Sequence, residues 1–257
     1  MNLPVYRIVE GRRPQGLVMP ESSPTANVLG DYFAHAACLE AASAVAFARL
    51  GRELDVYGAP AALLEGCARA RRAEVKHARS LGRLAQRHGG RPVPPSAGPA
   101  PVRPLVDIAL ANIVEGFVRT TYGATAAQFR ARSAEDPEIR GAMEVIAADE
   151  LAHAELAFQV ATWLQAEIDP VEGVWVEDAM RHAVTALARE LDVEVSPELT
   201  ARAGVPSRLD ALALWSALSK RVWHGMSERV WNAALWVHET PVLGRRGSAA
   251  GGTRHAA

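Results

Sequence analysis

Cysteine is scarce, with only Cys38 and Cys67 in 257 residues. Two thiols are too few for a disulfide framework, a zinc knuckle or a rubredoxin-type centre, and both are expected to stay reduced in a cytoplasmic protein. No apolar run approaches the ~18 residues of a membrane span. Residues 1–15 interleave Glu10, Arg12 and Arg13 with prolines, so a signal peptide is not expected either. An excess of one charge is also missing: 28 basic and 29 acidic residues leave a net charge of -1, which gives no reason to expect nucleic acid as a partner. Long β-branched runs are absent, which argues against a sheet protein.

What the chain has is alanine, leucine and arginine, with apolar residues recurring every three or four positions. That period predicts an all-α fold. Residues 1–30, with Pro4, Pro14, Pro20 and Pro24, read as an extended arm. The first helix is expected over 31–56 with Asp31 as its cap, and Gly58 and Pro60 then force a turn into a second helix over 61–88, stopped by Gly89 and Gly90. Five prolines make 91–104 a stiff linker. A third helix follows over 105–131, and a fourth over 136–168, opened by Asp136 and Pro137.

Short turns make helices one and two a hairpin, and likewise three and four. At ~3.1 Å per residue the linker reaches ~45 Å, enough to return the chain along a whole helix. The expected architecture is a four-helix bundle over 31–168 with one long crossover, followed by a helical appendage over 169–243 and a mobile tail over 244–257. Within the appendage, helices are expected over 176–193 and 206–236.

Two Glu-x-x-His motifs lie on the second and fourth helices, Glu74/His77 and Glu150/His153. A spacing of three puts carboxylate and imidazole on one helix face. Upstream of each, an isolated glutamate interrupts an apolar run: Glu40 in Cys-Leu-Glu-Ala-Ala-Ser and Glu115 in Ile-Val-Glu-Gly-Phe-Val. The intervals agree, since 74 minus 40 is 34 and 150 minus 115 is 35. Folding each hairpin at its turn sets the paired glutamates level, so four carboxylates and two imidazoles are expected to meet mid-bundle. Unpaired, such a set would be prohibitive to bury. Two divalent cations would balance four Glu and two neutral His, giving a dinuclear site with two nitrogen and four oxygen ligands.

This pattern resembles the ferritin-like di-iron carboxylate superfamily, whose signature is Glu, Glu-x-x-His, Glu, Glu-x-x-His on four helices. The spacing is most similar to the rubrerythrin and bacterioferritin end of it. The resemblance implies that Glu74 and Glu150 bridge the metals, that Glu40 and His77 complete one site, and that Glu115 and His153 complete the other. Asp149 matches the family's Asp-Glu-x-x-His form, whereas the first motif has Ala73 in that place. Val118 stands where rubrerythrin has an extra ligand, and rubredoxin cysteines are missing, so a self-reducing peroxidase is disfavoured. Manganese catalase is a poorer match.

The expected function is a non-haem dinuclear oxidoreductase that uses O2 or peroxide, with two iron ions as cofactor, though imidazole and carboxylate suit manganese equally. Its organic substrate is not legible. A ferroxidase or iron-storage role, with Fe(II) as substrate, is the alternative, and a metal-free helical interaction protein a further one. An apolar tunnel would favour an organic substrate, and an acidic path Fe(II). Tyr122 and Arg119, beyond Glu115 on its face, are placed to support the ligands. A core tyrosine and a rim arginine are the competing roles. His35 and Cys67 read as packing residues, and His224 with Glu228 as an isolated surface pair. Leu212, Trp215, Leu218, Val222, Met226 and Val230 form a stripe that, with Trp223, Trp231 and Trp236, is expected to cover the bundle or to build a homodimer.

Overall fold

The computed structural model describes residues 11–20, Thr25 and 27–224. Among the described residues the fold is all-α apart from one pair of two-residue strands. Helix α1 spans Val28–Val56 and starts three residues earlier than Asp31, because Asn27 accepts the amides of Leu29 and Gly30. Asp31 instead sits in the first turn and accepts the amide of Thr25. Gly58, at φ 73°, makes the turn into α2, Ala61–Arg87. At the other end of this hairpin, Gly30 on α1 meets the α2 exit backbone to backbone. A Cβ on Gly30 would lie 2.5 Å from the His88 carbonyl oxygen. Gly30→Ala is therefore expected to cost about 1–3 kcal/mol through forced separation of the hairpin ends, read as a lowered midpoint in urea unfolding.

The third long helix is not uniform. It begins as α3, Leu105–Ala111, passes through a π-helical stretch, Asn112–Arg119, and continues as α4, Thr120–Ser133. Helix α5, Pro137–Glu167, is capped by Asp136 and runs back along it. The α1/α2 hairpin packs on the second hairpin chiefly through α2 and α5. The linker does return along α1, and it is held there. Arg103 makes a two-pronged pair with the buried Glu53 at 2.8 and 2.7 Å, and Arg52 donates to the Ala100 carbonyl. Strand β2, Ser96–Ala97, pairs antiparallel with β1, Leu17–Val18, from the N-terminal arm.

The interior has two apolar blocks. One is built from Leu29, Phe33, Leu81, Ile139 and Met143 with their neighbours, the other from Leu50, Leu63, Ile113, Val160 and Leu164 with theirs. Along α1, α2 and α5 the break between them falls at Glu40, at Glu74 and His77, and at Glu150 and His153. By length and a mean hydropathy of 1.2, α1 would suffice to cross a membrane, but 67% of that window is buried in the protein and it carries Glu40 into the polar layer.

The appendage folds onto its own chain. Helix α6, Pro170–Leu191, opens with a capping box between Asp169 and Glu172 and packs against α3 and the π-helical stretch. A short helix, α7, Pro197–Ala203, touches α1 and α4. Seven residues are too few to register as an apolar period, so the sequence does not announce it. The long helix expected over 206–236 is helical without a break as far as the described residues reach, as α8, Arg208–Leu218, followed by a π-helical stretch, Ser219–Trp223. Leu212, Trp215, Leu218 and Val222 pack on the second apolar block, Trp223 is buried, and the Trp215 indole donates to the Val184 carbonyl at 2.9 Å. Met226, Glu228, Val230, Trp231, Trp236 and the tail over 244–257 lie outside the described residues.

Candidate metal centre

Three helices build the polar layer. Each presents its acid from an apolar face, so the carboxylates cannot reach water: Glu40, Glu74, His77, Glu150 and His153 are all buried. One ligand atom from each of Glu40, Glu74, His77 and Glu150 lies within 4.8 Å of the others. Glu74 is central. Its Oε2 is 3.5 Å from His77 Nδ1 and its Oε1 is 3.4 Å from His153 Nδ1, so one carboxylate faces both imidazoles. Glu40 Oε2 adds to the His77 side at 3.6 Å, and Glu150 Oε1 to the His153 side at 3.2 Å.

Four of these groups have a buried polar atom without a hydrogen-bond partner: Glu40 Oε2, Glu74 Oε2, His77 Nδ1 and Glu150 Oε2. Buried polar atoms are ordinarily satisfied, and here the orphans coincide with the cluster. No protein family, curated protein or solved structure matches this chain. What the cluster can do therefore rests on its chemistry alone.

Protons carry part of its charge. Burial works to lower His77, but the adjacent carboxylates of Glu40 and Glu74, 3.6 and 3.5 Å from Nδ1, overcome it and hold the imidazole at about 11. Glu74 is pushed well above the carboxylate range by burial and then by the charge of Glu40. Glu150 is raised by burial too. Burial also acts to raise Glu40, yet hydrogen bonding to Glu74 and His77 leaves it below its ordinary value. The protons that burial places on Glu74 and Glu150, and that the carboxylates place on His77, are those a bound cation would displace.

Glu115 is not gathered into this cluster. Asn112 Nδ2 donates to the Ala157 carbonyl at 2.8 Å, so counting along the antiparallel pair puts Glu115 level with Ala154, beside His153. The height agrees with the sequence; the rotation does not. Bonding i to i+5 through Asn112–Arg119 changes the angular step between residues, and Asn112 and Gly116 are buried where an α-helical count would turn Glu115 inward. Glu115 accepts the Arg13 amide at 3.3 Å and lies 3.5 Å from Arg119 Nε. Arg119 is drawn outward as well, into a two-pronged pair with Glu190 on α6 at 2.8 and 2.6 Å. Tyr122 is buried within the second apolar block.

The N-terminal arm brings Arg12 against the same helix. Arg12 is buried, donates to Asn112 Oδ1 at 2.6 Å, and lies 5.6 Å from the centre of the Phe47 ring, itself 5.0 Å from the His153 ring. Gly116 makes this possible, since a Cβ there would strike the guanidinium. Burial lowers Arg12 to about 10, which leaves it cationic at neutral pH. Its amide donates to Ser43 Oγ at 3.1 Å, and Ser43 donates onward to Glu74 Oε1 at 2.7 Å. No periodicity marks Arg12 in the sequence. Its only clue is a basic pair opposite a glycine that follows an acid.

Asp149 is placed as the Asp-Glu-x-x-His form suggests, but it serves the opposite motif. Its Oδ2 is 3.0 Å from His77 Nε2, across the α2/α5 contact. Such a carboxylate fixes the ring and its tautomer.

Proposed function

We propose that this chain is a ferritin-like, non-haem dinuclear metalloprotein that reacts with O2 or peroxide, with two iron ions as its cofactor. The observation that carries the reading is the division of the Glu74 carboxylate between two imidazoles, each with an acid of its own. In this reading Glu40 and His77 would hold one ion and Glu150 and His153 the other, with Glu74 available to both. The orphaned atoms of the cluster suit that role, and manganese meets the same ligand chemistry. Three glutamates give a charge of -3 rather than the -4 of the six-residue set, one short of balancing two divalent ions, and the buried Arg12 adds positive charge rather than making up the shortfall. When bound, two ferrous ions supply the electron pair that reduces O2 or peroxide.

The chain's own residues keep the site dry and oriented. Asp149 accepts from His77 Nε2 and so keeps Nδ1 turned to the carboxylates. Ser43 holds one oxygen of Glu74 by donating a proton to it, and is itself fixed by the Arg12 amide. Phe47, its ring tilted 53° to that of His153, closes the layer on the side of the second apolar block.

Chain freed of metal, loaded anaerobically with Fe(II) and exposed to O2, is expected to consume O2 and to gain near-ultraviolet absorption from oxidised iron. His77→Ala is expected to abolish both. Wild-type protein that binds two irons but takes up no O2 and stays colourless would refute the oxidase reading.

A further inference from the structure

The two Glu-x-x-His motifs are related by the repeat, so the environment of one histidine predicts that of the other. His77 meets Asp149, the residue immediately before Glu150. By the same relation, His153 should meet the residue immediately before Glu74. That residue is Ala73, which has no acceptor to offer. In place of a carboxylate there is a groove of about 360 Å³ between α2 and α5, reaching His153 past Ala73 and Asp149 and flanked by Arg69, Glu155 and Gln159. Among the described residues no hydrogen-bond partner meets His153 Nε2; the contacts of this ring to Glu74 and Glu150 are made by Nδ1. A histidine whose Nδ1 serves a metal keeps its proton on Nε2 and ordinarily donates it to an acceptor.

We infer that this groove is a binding site for a small carboxylate, which takes the place by His153 that Asp149 holds by His77. One carboxylate oxygen accepts from His153 Nε2, and Arg69, one turn before Ala73 on α2, supplies a cation at the rim. Leu156 and Ala70 give the rest of the molecule an apolar wall, and the volume is within the ~300–1,000 Å³ of small-ligand sites. Glu155 works against an anion and so limits affinity; Asp149 does so less, because it is engaged by His77. The inference names an anion that binds behind a ligand of the proposed metal centre, not a substrate in contact with the metals; it rests on that centre only in turning His153 Nδ1 to the metal, and binding is measured without turnover.

The test is calorimetric titration of the full chain with benzoate and acetate, with benzyl alcohol as the uncharged control, alongside the metal content of each sample. One benzoate is expected per chain and benzyl alcohol is expected not to bind. Ala73→Asp, which gives His153 an internal partner, is expected to weaken benzoate about tenfold or more, the scale of one charge-assisted hydrogen bond, with metal content unchanged. Glu155→Gln, an exposed position, is expected to strengthen binding a few-fold, a change that misfolding would not mimic. Absence of benzoate binding to wild type, or equal binding to Ala73→Asp, overturns the inference while a full metal complement leaves the centre standing. A chain that binds no metal under any loading condition, but whose benzoate affinity still falls in Ala73→Asp, overturns the centre and upholds the groove.

Discussion

Glu74→Ala is expected to take the bound metal from about two ions per chain to none, measured by elemental analysis after loading with Fe(II). Glu74 is the only acid of the cluster with one oxygen toward His77 and the other toward His153, so its removal strips both positions at once. Glu74→Gln separates loss of the ligand from loss of the fold. It keeps the volume of the side chain and an oxygen for Ser43, whereas Ala strips a partner from a buried set and is itself destabilising. Glu74→Gln is therefore expected to lose the ions as well while melting close to the metal-free wild type. Glu115→Ala makes the contrast: its carboxylate is held by the Arg13 amide and Arg119, so about two ions should remain. A Glu74→Ala protein that keeps both ions, or a wild type that binds one or none under every loading condition, would refute the dinuclear reading.

Truncation after Ile168 is expected to leave every cluster residue in the chain and yet abolish a soluble, cooperatively folded protein. Val176, Met180, Leu187 and Leu191 on α6 are buried, as is Trp223 beyond α8, and all five join the second apolar block. At ~1.5–3 kcal/mol for each large side chain, the lost burial rivals the ~5–15 kcal/mol net stability of a typical domain. The Arg119–Glu190 pair would be lost too, freeing Arg119 beside Glu115. The readouts are soluble yield, thermal midpoint and sedimentation. A truncated chain as soluble and heat-stable as the full one would show that the stripe on α8 serves another partner.

The sequence shows the regular helices well and the exceptions poorly, and the reason is physical. Helices α1, α2 and α5 follow one period from cap to cap, so their boundaries fall within a few residues of expectation and Glu40, Glu74, His77, Glu150 and His153 converge as the intervals require. Counting fails on the third helix because a π-helical stretch leaves no signature in apolar spacing, and one such stretch is enough to turn Glu115 aside. Arg12 is out of reach for a different reason. An arm without periodicity declares nothing about where it docks, and a buried arginine is set by Asn112, Gly116 and Phe47, which lie 35 to 104 positions away in the chain. The repeat also hides its own breach, since the mismatch of Ala73 with Asp149 gains meaning only when each motif is seen to serve the histidine of the other.

With metal bound as proposed, the polar layer would couple occupancy to folding. Because its ligands come from the middle of α1, α2 and α5, at the break between the two apolar blocks, an ion held there restrains both halves of the molecule, and an unfolded chain offers no such site. Stability becomes a function of free metal, growing as RT ln(1 + [M]/Kd), about 2.7 kcal/mol at a hundredfold excess over Kd. In such a protein a melting temperature is a property of the solution as much as of the chain.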